Sequence, residues 1–169
     1  NTIHDFDNEQ VVRRGFINMF PVLILSTFKA LVIYPREYRQ ILKGFFLIIC
    51  NFYFLLKRPE RAFVHRDISQ NNILINSSGV NFVLDFGISS YMHPMWEVVH
   101  AMVDCRRREG FMESFNKTKT MQTVFGDSES RKLFKIFSIY CGIHLLSKSE
   151  KNNERKTANE RYLRYALSI

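Results

Sequence analysis

Two aspartates and an asparagine stand at spacings that could do chemistry. Residues 63–87 read FVHRDISQNNILINSSGVNFVLDFG and contain His65, Arg66, Asp67, Asn72, Asp85, Phe86 and Gly87. Asn72 and Asp85 carry hard oxygen donors. Mg²⁺ takes one or two such protein oxygens and fills its shell with phosphate oxygens and water. Asp67, five positions before Asn72, is by type a candidate general base. Each residue alone also has a plainer reading: a solvated loop aspartate, a turn asparagine, a core phenylalanine. Other constellations are thinner. Cys141 and His144 could form half a metal site, but the sequence holds no second pair at ligand spacing. Cys50, Cys105 and Cys141 are odd in number and far apart. They build neither a disulfide framework nor a Cys-x-x-Cys motif, and fit reduced thiols of a cytoplasmic protein.

A loop of this kind must be held by its neighbours. The apolar runs at 73–75 and 81–84 flank a turn signal, Asn-Ser-Ser-Gly, at 76–79, which predicts a β-hairpin between Asn72 and Asp85. Upstream, Ile41, Leu42, Phe45, Phe46, Ile49, Phe52 and Tyr53 recur at three- and four-residue steps, which predicts one long helix over 37–56. Lys57, Arg58 and Pro59 would end it. The run ALVIY at 30–34, stopped by Pro35, reads as a short strand. Downstream, Pro94 would open a helix through Trp96, Val99, Met102 and Val103, with the arginines at 106–108 at its negative end. Asp127 is a candidate N-cap for a further helix, whose apolar stripe is Leu133, Ile136, Phe137, Tyr140 and Ile143. Residues 147–161 are polar, read as a solvated helix or a loose tail, and 162–169 turn apolar and should dock on the core. The expected fold class is α+β, mostly α.

The segment resembles the protein-kinase-like phosphotransferase superfamily. His65, Arg66, Asp67 and Asn72 match its catalytic-loop pattern, and Asp85, Phe86 and Gly87 match its metal-binding Asp-Phe-Gly, with the hairpin between them. At about 5% per residue type, seven specified matches arise by chance about once in a billion start positions, so coincidence is a poor account. The resemblance implies the helical lobe of a kinase-like fold. It also implies ATP and Mg²⁺ as cofactors, and transfer of the γ-phosphoryl group to a hydroxyl. It implies that Asp67 orients or accepts the proton of the acceptor hydroxyl. Asn72 and Asp85 would hold Mg²⁺, and Gly87 would let the backbone turn beside the nucleotide. His65, Arg66 and Phe86 would brace the loop.

The sequence departs from the family pattern in three places. No Gly-x-Gly-x-x-Gly occurs, and no lysine ends a Val-Ala-Ile-like strand. With Asn1 rather than Met at the start, the reading is one domain over 1–169 forming the helical lobe of a longer protein. Residues 1–36 would then be a remnant of the missing N-terminal lobe and hinge. Ser69 stands where serine/threonine kinases carry a lysine that reaches the transferred phosphate. Finally, residues 88–93 alone separate Gly87 from Pro94, and no Ala-Pro-Glu follows. The short segment favours a sugar, lipid or other small-molecule acceptor over a peptide. The alternatives are an atypical protein kinase and a catalytically inactive kinase-like binding module.

Composition narrows the remaining classes. The 169 residues carry 24 Lys+Arg against 16 Asp+Glu, a net charge of +8, with 46% hydrophobic residues and 16 phenylalanines. That excludes a disordered chain. With 7 Gly and 4 Pro it also excludes collagen-like and low-complexity classes. A chain of this length can bury about 70% of its unfolded surface in one core. The basic balance admits an anionic substrate or a membrane surface as partner, but no nucleic-acid motif accompanies it. The first ten residues are polar and lack the basic start of a signal peptide. The apolar stretch at 16–34 is broken by Asn18, Pro21 and Lys29, and the stretch at 44–56 is too short to span a bilayer. The expected location is cytoplasmic, with membrane association as the alternative.

Overall fold

The computed structural model describes residues 8–57, 62–77, 79–87, 89–104, 106, 108, 110–148 and 153–169. Arg58, Pro59, Cys105 and Arg107, singled out in the sequence, lie outside them. The fold is mostly helical with small antiparallel β elements, as expected. In chain order the elements are α1 (Asn8–Ile33), a 3₁₀ turn (Pro35–Glu37), α2 (Tyr38–Cys50), α3 (Phe52–Leu56), β1 (Ala62–Val64), a 3₁₀ turn (Gln70–Asn72), β2 (Ile73–Asn76) and β3 (Gly79–Val83). They continue with β4 (Ser90–Met92), α4 (Met95–Asp104), α5 (Phe111–Asn116), α6 (Lys119–Gly126), α7 (Ser128–Leu146) and α8 (Asn153–Ser168).

Helix α7 is the axis of the core. Leu133, Phe134, Ile136, Phe137, Ile139, Cys141, Ile143 and Leu146 are all buried on it, so it is apolar around most of its circumference, as a helix packed on several sides must be. Helices α1, α2, α4, α6 and α8 all pack against it. Asp127 starts it as the sequence predicts: its Oδ2 accepts the Ser130 backbone N–H at 2.7 Å. Trp96 of α4 stacks on Phe137 with ring centroids 4.7 Å apart and fixes α4, which follows the candidate loop, to the axis. Gly44 of α2 lets that helix approach closely, since a Cβ there would lie 2.8 Å from Ile139 Cγ2. The polar stretch after 147 is helical from Asn153, and Ala158, Asn159, Tyr162, Leu163 and Ala166 of α8 are buried.

Two expectations are corrected. The ALVIY run is not a strand. Residues 30–33 are the last turn of α1, whose Leu23 and Ala30, with the following Tyr34, sink into the core. The β-branched residues there are tolerated because tertiary burial outweighs propensity. Pro35 ends the helix by displacing the residue before it: Tyr34 sits at φ −125°, ψ 63°. The single helix over 37–56 is two, α2 and α3. They are interrupted at Asn51 (φ −106°, ψ 6°), whose side-chain amide donates to the Leu47 carbonyl at 2.8 Å and so competes with the helical ladder. No single described helix is long and apolar enough to cross a membrane. Ile17–Ile33 and Pro35–Cys50 reach that length and composition only as a pair bent by 116°.

The β elements form two antiparallel pairs. Strands β2 and β3 make the expected hairpin, with Ile73 opposite Val83 and Asn76 opposite Gly79. Its register shifts between Leu74 and Ile75, the mark of a β-bulge. Strands β1 and β4 pair through Ala62–Met92, Phe63–Tyr91 and Val64–Ser90. This second pair brackets the motif segment: β1 leads into His65, and β4 follows Gly87.

Candidate active site

The loop between β1 and β2 is built around Asp67. The Asn72 amide nitrogen donates to the Asp67 backbone carbonyl and to its carboxylate Oδ2, both at 2.9 Å. The turn between them closes with Ser69 N–H to the Asp67 carbonyl at 2.8 Å and Asn72 N–H to the Ser69 carbonyl at 3.0 Å. Asp67 therefore has one carboxylate oxygen held from within the loop, and its rotamer is set before any substrate arrives.

His65 ties this loop to the Asp-Phe-Gly. Its side chain is buried. Nε2 donates to the Leu84 carbonyl at 2.7 Å, and Nδ1 accepts the Asp67 N–H at 3.3 Å. Those two bonds require the neutral tautomer with its proton on Nε2. The Leu84 N–H in turn donates to the Asn72 carbonyl at 2.8 Å, which sets the backbones of Asn72 and Asp85 side by side. Phe86 is exposed rather than part of a core. Its ring meets His65 edge-on at 4.6 Å and stacks on Phe63 at 6.1 Å. The Asp85 carboxylate accepts the Gly87 N–H at 3.2 Å, and a Cβ at Gly87 would crowd the same oxygen at 3.1 Å.

Among the described residues two that are not glycine have left-handed backbones, Arg66 (φ 70°) and Asp85 (φ 58°). Aspartate tolerates this region better than most residues. For Arg66 the conformation costs about 1–3 kcal/mol and persists because its surroundings enforce it. Two of the groups that hold it come from α4. The Arg66 N–H donates to Glu97 Oε2 at 3.2 Å, and the Arg66 carbonyl accepts from His100 Nδ1 at 2.8 Å. Glu97 and His100 are three apart and share a helix face. Sequence reasoning missed this clamp. The only available signal was the Glu-x-x-His spacing just after the Asp-Phe-Gly, which has no meaning until α4 is placed under the loop. Burial, together with the Arg66 charge, lowers the His100 pKa from 6.5, against the opposing pull of the Arg66 carbonyl bond and of Glu97 and Asp67.

The donor set fits a magnesium ion. Asn72 commits its amide nitrogen to Asp67, which leaves the amide oxygen as the atom for a cation. Asp85 is an exposed carboxylate one residue beyond Leu84. Among the described residues no group of three or more His, Cys, Asp or Glu side chains could hold a metal ion. Asn72 and Asp85 would supply two protein oxygens, the number that Mg²⁺ takes in sites that also bind phosphate. Cys141 takes no part: burial pushes its thiol up to about 12, far from a reactive thiolate. His144 faces Ser26, at 3.2 Å.

On its other side Asp67 borders a small cleft of about 130 Å³, lined also by Arg66, Ile68, His100, Val103, Asp104 and Arg106. Arg106, one of the arginines that follow α4, reaches this cleft. It also donates to Asn159 Oδ1 at 2.8 Å and to the Val103 carbonyl at 2.7 Å.

Residues 53–121 match the model of the phosphotransferase enzyme family, APH, part of the protein-kinase-like superfamily. The match contains the catalytic loop, the hairpin, the Asp-Phe-Gly and α4, so the resemblance carried by the two motifs is borne out for the segment that holds them. No curated protein and no solved structure matches the chain.

Proposed function

We propose that this phosphotransferase-family segment works as an ATP- and Mg²⁺-dependent phosphotransferase, passing the γ-phosphoryl group to a hydroxyl on a sugar, lipid or other small molecule. The observation that carries the reading is the closed circuit Asp67–Asn72–Leu84–His65. It fixes a carboxylate, a carboxamide oxygen and a second carboxylate on one backbone framework. Phosphoryl transfer depends on positioning and charge neutralisation more than on covalent help, and this framework supplies positioning. When bound, the metal would supply positive charge to neutralise the phosphate oxygens. Asn72 and Asp85 are the residues to hold it. Asp67 orients the acceptor hydroxyl and takes its proton as the new oxygen–phosphorus bond forms and the bond from the γ-phosphorus to the departing ADP breaks.

The preference for a compact acceptor rests on β4. After Gly87 the chain turns at once into a strand paired with β1, and α4 begins at Met95. The short connection leaves little chain from which a shelf for an extended peptide could be built. The 130 Å³ cleft beside Asp67 is of a size for one hydroxyl-bearing group, and its charged lining balances Arg66 and Arg106 against Asp67 and Asp104. The test is transfer of labelled phosphate from ATP by the full-length protein, against a panel of sugars and lipid head groups and against generic proteins. Transfer to small acceptors that is lost in Asp67→Asn is expected. Transfer to several unrelated proteins, with none to small acceptors, would reverse the choice in favour of an atypical protein kinase.

A further inference from the structure

We propose that a second site, for a phosphate-bearing anion, lies where the start of α2 meets the end of α8. The cleft there has a volume of about 340 Å³ and is lined by Arg39, Gln40, Lys43, Arg164, Leu167 and Ser168. Three lining side chains are cations and none is acidic. Arg39 and Lys43 are one turn apart on α2, as are Arg164 and Ser168 on α8, so each helix turns one basic face to the space. None of these residues belongs to the catalytic loop, the hairpin or α4, and the proposal is independent of the phosphotransfer reading.

The cleft is more than a patch of surface charge because its two guanidinium groups are held in place. Arg164 is bonded by Glu37 through Nε at 3.4 Å and through Nη2, and Glu160 lies at 4.0 Å. Arg39 donates from Nε to the Tyr38 hydroxyl at 2.9 Å, and its guanidinium lies over that ring, 5.7 Å from the centroid. Anchoring through Nε leaves the terminal nitrogens of Arg39 to face a ligand in the paired geometry that phosphate oxygens match. Glu37 and Glu160 offset the charge of Arg164, whereas Arg39 and Lys43 have no acidic partner among the described residues. Gln40 adds a neutral donor, and Leu167 an apolar wall. The volume exceeds that of a bare phosphate, so the fitting ligand is a phosphorylated small molecule or a phosphorylated lipid head group.

The test uses the full chain without Mg²⁺, so that the catalytic site holds no metal to recruit phosphate. Pyrophosphate binding is measured by calorimetry, and binding to phosphatidylcholine vesicles with and without phosphatidylinositol 4-phosphate by cosedimentation. The double variant Arg39→Gln/Lys43→Gln should weaken binding at least about tenfold. The control Lys117→Gln/Lys119→Gln, which removes the same charge from exposed positions that do not line the cleft, should change it far less. Circular dichroism melts check that both remain folded. Binding of pyrophosphate alone assigns a soluble ligand, and binding to the phosphoinositide vesicles assigns a head group. Absence of binding to both probes, or equal weakening by the two double variants, overturns the site.

Discussion

The Asn72 side-chain amide holds Asp67 twice, at its backbone carbonyl and at its carboxylate, each at 2.9 Å. One residue thus sets both the turn of the loop and the rotamer of its candidate base, while keeping an oxygen for a cation. Losses at the three polar positions should therefore differ in kind. Asp67→Asn should lower turnover by about 10²–10⁴-fold with nucleotide affinity nearly unchanged. Asp85→Asn should weaken Mg²⁺-dependent nucleotide binding, and Asn72→Ala should do both. Steady-state kinetics with nucleotide titration separate the three. Equal loss of affinity in Asp67→Asn and Asp85→Asn would show that the roles are not divided in this way.

The clamp on Arg66 gives a second prediction. Glu97→Ala removes the acceptor of the Arg66 N–H, so the left-handed backbone loses one of the restraints that α4 supplies. Asp67 follows directly. Turnover should fall in the full-length form, whereas melting temperature should move little, because the rest of α4 stays anchored through Trp96 on Phe137. Glu97→Gln, which keeps an acceptor oxygen, should restore most of the activity. A glutamine variant as impaired as the alanine one would mean that the carboxylate charge, not the hydrogen bond, is what matters.

What the sequence made legible follows from the range of the interactions involved. The motif residues and the hairpin were readable because they depend on local turns and fixed spacing: Asn76 and Gly79 close β2 onto β3 as expected. The Asp127 cap was readable for the same reason. The ALVIY run was misread because Ala30 and Tyr34 are buried by contacts with distant helices, which no local pattern encodes. Asn51 was read through because its apolar neighbours keep helical spacing on both sides of the break. The α4 clamp joins residues 31 and 34 apart and became visible only with the tertiary structure.

The depressed histidines make stability fall with acid. His100 and His144 both have folded pKa values below 6.5, burial being the first cause for each. Above that value both are neutral whether the chain is folded or not, and their contribution is fully present. As pH falls below 6.5, the unfolded chain takes up protons that the folded chain refuses, and stability drops until the folded values are passed. Urea unfolding should show a lower free energy at pH 5.5 than at pH 7.5. In His100→Gln, whose amide can still donate to the Arg66 carbonyl without titrating, the difference should shrink. An unchanged difference would assign the acid sensitivity to other groups.

The last prediction concerns the axis that carries the whole site. Alanine at an interior helical position is normally favoured over glycine by about 1 kcal/mol, so Gly44→Ala would stabilise α2 taken alone. In the fold, the new methyl would lie 2.8 Å from Ile139 Cγ2 and 3.3 Å from Ile143 Cδ1. Isoleucine in a helix has essentially one χ1 rotamer, so Ile139 cannot swing aside. Helices α2 and α7 must then separate, and overpacking of this kind costs about 1–3 kcal/mol. The net expectation is a loss of about 1 kcal/mol, read by urea unfolding. The double variant Gly44→Ala/Ile139→Ala, which opens room for the methyl, should lose less than Ile139→Ala alone. If Gly44→Ala instead raises stability, the α2–α7 approach is looser than the structure has it, and glycine at that position is not set by packing.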